Sequence, residues 1–299
     1  MATFNKYCER HELLRENKPC MTQCDLCYSV ETTPKKIFKK PNIHLTNGDA
    51  LDEMQKLNDF GVIVDMILCD LPYGTTDCKW DTIIPFDLMW EQLNKIIKPN
   101  GVIVLFGSEP FSSALRMSNM DMFRYDIYWK KTKQGNFAQA PYMPLKNIEI
   151  ISVFSKGKIA KNSKIKMNYF PQGLIDCNKI NNGGNKSNEF RPNRKEKKEN
   201  HIQTKTNYPK QLIEFDSCYD FLHPTQKPVE LIEYLINTYT QNEEIVLDFT
   251  MGSGTTAIAC LNTNRQFWGI ELEEKYFEIA KKRVEEKIKE QENKQLEIF

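Results

Sequence analysis

No stretch of this 299-residue chain comes near the ~18 consecutive apolar residues of a membrane-spanning helix, so no membrane partner is expected. Residues 1–10 carry no apolar core of a secretory leader, and the expected compartment is the cytosol. An excess of one charge is missing too: 41 Lys or Arg face 40 Asp or Glu, a net of +1. That excludes a nucleic-acid binder that is basic throughout and confines any phosphate-binding surface to a local patch. No internal repeat is visible, which excludes a solenoid or propeller. The 9 cysteines, in a chain expected in the cytosol, read as thiols or metal ligands rather than as a disulfide framework.

What is present is an alternation of strands and helices. Strand patterns at 43–46, 62–69, 101–106, 125–129, 148–154, 244–249 and 266–270 alternate with helical patterns at 50–57, 86–97, 111–118, 229–239, 255–262 and 273–291. The 62–69 and 101–106 runs are almost continuously apolar, as in strands buried on both faces. Lys98-Pro99-Asn100-Gly101 reads as a turn. No clear helix separates 125–129 from 148–154, so these two are expected to pair antiparallel. The whole pattern predicts an α/β fold, a doubly wound and mostly parallel sheet. Between residues 155 and 210 the character changes: 14 Lys or Arg stand against 4 Asp or Glu, a local net of +10, and Asn181-Asn182-Gly183-Gly184-Asn185 breaks the segment. This predicts an irregular basic insertion.

In such sheets ligands sit beyond the carboxyl ends of the strands, and two strand ends carry chemistry. The 244–249 strand runs into Asp248-Phe249-Thr250-Met251-Gly252-Ser253-Gly254-Thr255-Thr256. Glycines at a strand-to-helix turn let backbone approach a ligand closely. No Lys-Ser or Lys-Thr follows, which excludes a P-loop. The next strand ends at Glu271, placed to accept hydrogen bonds from the ribose hydroxyls of a nucleoside cofactor. Taken alone, this half fits NAD as well as S-adenosylmethionine. The second strand end is Asp70-Leu71-Pro72-Tyr73. An exocyclic base nitrogen is a poor nucleophile because its lone pair is delocalised into the ring. Asp70 and the Leu71 carbonyl offer two acceptors for its hydrogens, and Tyr73 offers a face for an extruded base. As isolated features, the first loop is an ordinary tight turn with a surface Glu, and the second a proline turn after a strand.

Together, and in this order, the segments resemble the β-class of amino-methylating DNA methyltransferases, found in restriction-modification systems and phages. The resemblance covers residues 42–290. It rests on Asn47-Gly48-Asp49-Ala50, the Asp70 loop, Phe106-Gly107-Ser108-Glu109-Pro110-Phe111, His223-Pro224-Thr225-Gln226-Lys227-Pro228, the glycine loop and Glu271. It implies a permuted methyltransferase fold with S-adenosylmethionine as cofactor and double-stranded DNA as partner. It also implies four parts: a cysteine-bearing arm at 1–40, a catalytic half at 41–155, a target-recognition insertion at 156–222 and a cofactor-binding half at 223–299. By resemblance, Asp49 contacts the cofactor's adenine, Thr225 and Lys227 its amino-acid end, Asp248, Phe249, Gly252 and Gly254 its methionine and ribose, and Glu271 the ribose. Asp70, Leu71, Pro72 and Tyr73 form the target-base pocket. In this family a leading Asp goes mainly with N6 of adenine and a leading Ser mainly with N4 of cytosine. Adenine is therefore expected; an N4-cytosine enzyme, an inactive nucleic-acid-binding module and an NAD-dependent oxidoreductase are the competing readings.

Two further groups stand out. Lys130, Lys131 and Lys133 follow Trp129 and are expected to contact phosphates beside the extruded base, with residues 134–142 as a loop over the pocket. Near the start, Cys24-x-x-Cys27 has the spacing of a zinc knuckle, which Cys8 with Cys20, or Cys8 with His11, would complete. Free thiols on a polar arm are the alternative. Cys69 is expected to pack in the core, and no acid–base role falls to His11, His44 or His201. The oligomeric state is open.

Overall fold

The computed structural model describes residues 36–74, 82–181, 201–217 and 226–296. The thiols and imidazole of the expected zinc site, and His223 and Thr225, lie outside them. The sheet grows from its most apolar strand, β3 (Val64–Asp70), which is buried along its length until Asp70. On one side β3 pairs in parallel with β10 (Ile245–Asp248), then β11 (Gln266–Glu271), then β2 (Ile43–Asn47). On the other it pairs in parallel with β4 (Ile97–Gly107). At one edge β1 (Ile37–Lys40) runs antiparallel to β2. Past β4 the direction reverses: β6 (Lys146–Phe154) is antiparallel to β4, and β5 (Phe123–Gly135) is antiparallel to β6, the pairing expected for 125–129 and 148–154.

Side-chain alternation then fixes a core on each face. Met66 and Leu68 of β3 and Val102, Val104 and Phe106 of β4 face α4 (Val229–Tyr239), α5 (Thr255–Asn262) and α6 (Glu274–Leu296). Ile67, Cys69, Ile103 and Leu105 face α1 (Ala50–Asp59), α2 (Phe86–Ile96) and α3 (Phe111–Ser118). Asp49 caps α1, its Oδ1 accepting from the N–H of Leu51 at 2.9 Å and of Asp52 at 3.2 Å. No described helix is long and apolar enough to cross a membrane.

Two local expectations change. Lys98-Pro99-Asn100-Gly101, read as a turn, is part of β4. The register against β3 jumps from Val64 opposite Ile97 to Met66 opposite Val102, so the extra residues bulge. Neighbouring chain holds the bulge: Ser155 Oγ donates to the Gly101 carbonyl at 2.6 Å, and the Asn168 N–H to the Asn100 carbonyl at 2.9 Å. The insertion is also more regular than its composition predicts. β7 (Ile175–Asn181) and β8 (His201–Thr206) form an antiparallel pair, and β9 (Leu212–Phe215) joins the main sheet parallel to β5. The open edge of β5 supplies hydrogen-bond partners that composition cannot reveal. β5 itself runs on to Gly135, and Phe137–Gln139 forms a single 3-10 turn within the expected loop.

Candidate active site

Strands β3 and β10 are neighbours and parallel, so their carboxyl ends open side by side. The Thr250 hydroxyl donates to the Asp70 carbonyl at 3.1 Å, and the Phe249 N–H to Cys69 Sγ at 3.2 Å. These bonds tie the Asp70 loop to the glycine loop. Between them lies a cavity of about 760 Å³ lined by Asp49, Asp70, Tyr73, Lys227, Phe249 and Glu271 among others.

On the Asp70 side the cavity holds a chain of alternating charges. Lys131 pairs with Glu149 Oε2; Lys227 pairs with Glu149 Oε1 at 2.9 Å and with Asp70 Oδ2. The Tyr73 hydroxyl donates to Asp70 Oδ1 at 2.5 Å and lies 3.4 Å from Glu149 Oε1. Lys227 Nζ also sits 5.0 Å from the centre of the Phe106 ring. Asp70 keeps 24% of its side-chain surface accessible, against 9% for Lys227 and 8% for Glu149, so Asp70 is the more open of the two carboxylates. Burial pushes the Asp70 carboxyl up, with Lys227 pulling against it. Burial acts on Glu149 in the same direction, but Lys227 and Lys131 together outweigh it and hold that carboxyl low. For Lys227, burial is overcome by Asp70 and Glu149, which keep the ammonium charged. Two cations thus balance two anions, the condition under which buried charges persist.

The other side is built on backbone N–H groups. Glu271 Oε2 accepts from Gly252 and Oε1 from Glu273, both at 2.8 Å. Burial nonetheless pushes this carboxyl up to about 7. The Asp248 carboxylate accepts from the Thr250 N–H at 3.1 Å and the Thr256 hydroxyl at 2.6 Å, and burial raises it to about 6. Gly254 has φ +79°, and a Cβ there would lie 2.8 Å from Ala280 Cβ, so the loop presses against α6. A carboxylate with lone pairs remaining after two N–H bonds, beside a glycine turn and the buried ring of Phe249, fits a ribose and the sulfur-bearing chain attached to it.

The expected residues converge. Asp49, Asp70, Leu71, Pro72, Tyr73, Lys131, Lys133, Lys227, Asp248, Phe249, Gly252 and Glu271 line one cavity, with Gly254 behind it. Three placements differ in detail from expectation. Lys227 reaches Asp70 and Glu149. Tyr73 turns its hydroxyl to the same carboxylates while its ring leans on Phe111, centroids 5.1 Å apart. Lys130 points to the other side of β5 from Lys131 and pairs with Glu214 at 2.7 Å. Cys69 is buried and its thiol pushed well up by that burial, in line with a packing role. Sequence reasoning missed Glu149, whose signal is a carboxylate inside the apolar run Ile148-Glu149-Ile150-Ile151. It also missed Thr250, which carries no distinctive signal.

Residues 64–282 match the N6/N4 DNA methylase family. The Type II methyltransferase M2.LlaDCHI of Lactococcus lactis subsp. cremoris is 26% identical over 276 residues, covering 84% of this chain and 92% of the relative. Among solved structures, the complex of M1.HpyAVI with SAM superposes with a TM-score of 0.54 at 25% identity, over 81% of this chain and 99% of that one. The cytosine-N4-specific PvuII DNA methyltransferase shares the fold, with a TM-score of 0.56 at 14% identity over 82% of this chain and 89% of that one. The family match spans most of the chain and includes both strand ends that form the cavity, so this protein belongs to the N6/N4 DNA methylase family and is a DNA methyltransferase.

Proposed function

We propose that the chain transfers a methyl group from S-adenosylmethionine to N6 of adenine at a specific site in double-stranded DNA, acting on a base turned out of the helix. Its setting is a restriction-modification or phage system in the cytoplasm. The observation that carries the reading is the Asp70 carboxylate, at the tip of β3, in one cavity with Glu271 and the glycine loop. The bound cofactor supplies a sulfonium methyl, whose bond to sulfur breaks with the electron pair going to sulfur. The protein's own residues do the positioning. Asp70 and the Leu71 carbonyl accept the two amine hydrogens and leave the nitrogen lone pair free to form the new N–C bond; the nitrogen then passes one proton to the Asp70 carboxylate, which returns it to solvent. Glu271 and the backbone around Gly252 hold the ribose, Phe249 packs beside it, and the face of Tyr73 supports the base. Lys133, which lines the cavity beside Lys131, meets phosphate at the rim, Lys130 on the other side of β5 serves the duplex only from there, and residues 156–222 read the target.

Adenine rather than cytosine rests on the Asp that heads the loop. The test is to express the protein in cells free of DNA modification and sequence their DNA with modified-base detection. N6-methyladenine in one sequence context is expected. N4-methylcytosine would overturn the choice of base, and unmodified DNA from cells holding folded protein would overturn the activity. Asp70→Ala is expected to lower methylation by at least about 100-fold, the scale of losing one positioned electrostatic partner, with cofactor affinity within about threefold of wild type by calorimetry. A comparable loss of both would mean that Asp70 serves the cofactor instead.

A further inference from the structure

Asp70 Oδ1 takes the Tyr73 hydroxyl and Oδ2 takes Lys227. The second bond brings a full positive charge to the oxygen that an incoming amine needs. Lys227 does not depend on that bond. Glu149 lies 2.9 Å away on its other side, and the Phe106 ring 5.0 Å from it. Lys227 can therefore give up Asp70 without becoming a buried cation that lacks a counterion. Glu149 is in turn held by Lys131, one-third exposed at the cavity wall. Balancing the two lysines is one role of Glu149, but burying a carboxylate there is costly. Its neighbours on the same face of β6, Ile151 and Val153, are buried and apolar, and an aliphatic side chain there would pack at no desolvation cost.

We propose that Glu149 is a positioning residue for methyl transfer, which draws Lys227 off the Asp70 carboxylate and so frees that carboxylate for the amine of the target base. The inference rests on reading Asp70 as the amine's acceptor. Without the Glu149 charge, Lys227 keeps Asp70 as its carboxylate partner among the described residues and closes the place of the amine.

The test uses the full chain and a duplex bearing its mapped target. Glu149→Gln is expected to lower kcat about tenfold or more, equivalent to one tenfold step in barrier, while S-adenosylmethionine affinity stays near wild type and the thermal midpoint falls by the cost of one lost buried counterion. Glu149→Asp is expected to regain part of the rate, because it restores the charge. With 2-aminopurine at the target position, Glu149→Gln is expected to weaken the fluorescence rise that marks base capture, and adding Lys227→Gln to restore it. That second measurement needs no cofactor, so any part Lys227 plays in cofactor binding does not enter. Wild-type kcat in Glu149→Gln would overturn the proposal. So would equal losses of rate, cofactor affinity and thermal midpoint in both single variants, which would make Glu149 structural only. Asp70→Asn, run alongside, separates the two claims: if it keeps wild-type rate, the reading of Asp70 fails; if it is inactive while Glu149→Gln is not impaired, only this inference fails.

Discussion

Glu271 is a carboxylate working near its own pKa. Burial lifts it to about 7 in spite of two backbone N–H bonds. The sign of the consequence is fixed by the role proposed for it. As an acceptor of ribose hydroxyls it must be ionised, so protonation below its pKa removes the acceptor, and the cofactor, by favouring the ionised form, lowers that pKa on binding. S-adenosylmethionine affinity is therefore expected to weaken as pH falls from about 8 to about 6, approaching tenfold per pH unit at the acid end. Glu271→Gln is expected to bind more weakly at the upper pH and to lose most of the slope. Calorimetric titrations across that range would decide it, and a flat profile for the wild-type protein would remove Glu271 from the ribose site. Asp248, raised to about 6, titrates at the acid end too, but its oxygens serve the glycine loop itself; slope that persists in Glu271→Gln belongs to it. Residues such as Glu271 and Asp70 were legible in the sequence because strand ends are marked by the apolar runs before them. Glu149 was not. It sits in mid-strand, and its partners Tyr73 and Lys227 come from distant segments that only the sheet order brings together.

At the scale of elements, the glycine loop is where backbone geometry and helix packing coincide. Gly254 combines φ +79° with a 2.8 Å approach of its absent Cβ to Ala280 Cβ on α6. Gly254→Ala meets both a left-handed backbone and an overpacked contact, which together cost about 2–5 kcal/mol. The melting midpoint is expected to fall by about 2–4 °C for each kcal/mol in a chain of this class, and cofactor affinity to fall with it. Adding Ala280→Gly relieves the contact and leaves the backbone strain, so partial recovery is expected. Full recovery would assign the whole effect to packing, and a midpoint unchanged in Gly254→Ala would remove both causes. The elements that sequence patterning located carry their burial in their own residues, most plainly β3 and β4 with two apolar faces, and with them β2, β5, β6, β10, β11 and α1 to α6. Those it missed, β1, β7, β8 and β9, are short or polar strands whose order comes from pairing with a neighbour. The bulge at Lys98-Pro99-Asn100-Gly101 misled for a related reason: proline and glycine mark a break in regular pairing, and here the break lies within a strand.

For the whole molecule, a net charge of +1 conceals a segment of +10 between residues 155 and 210. The insertion is attached where it matters, since β9 pairs with β5, the strand that carries Trp129, Lys131 and Lys133 to the cavity. Under the proposed function, a basic insertion that joins the sheet through β9 would give the molecule a DNA-facing side without making the rest of its surface adhesive to nucleic acid. The charges of this segment should then govern affinity and its response to salt, and leave chemistry alone. Replacing Arg191, Arg194, Lys195, Lys197 and Lys198 with Ser or Gln is expected to flatten the dependence of log affinity on log salt by about 0.9 for each phosphate that no longer meets a cation. kcat at saturating DNA and affinity for S-adenosylmethionine should hold near wild type. If the slope stayed as steep, the phosphate-binding cations would lie elsewhere, with Lys130 and Lys133 the next to substitute. If kcat fell at saturating DNA while the slope stayed the same, the segment would act on placement of the base instead of on the backbone of the duplex.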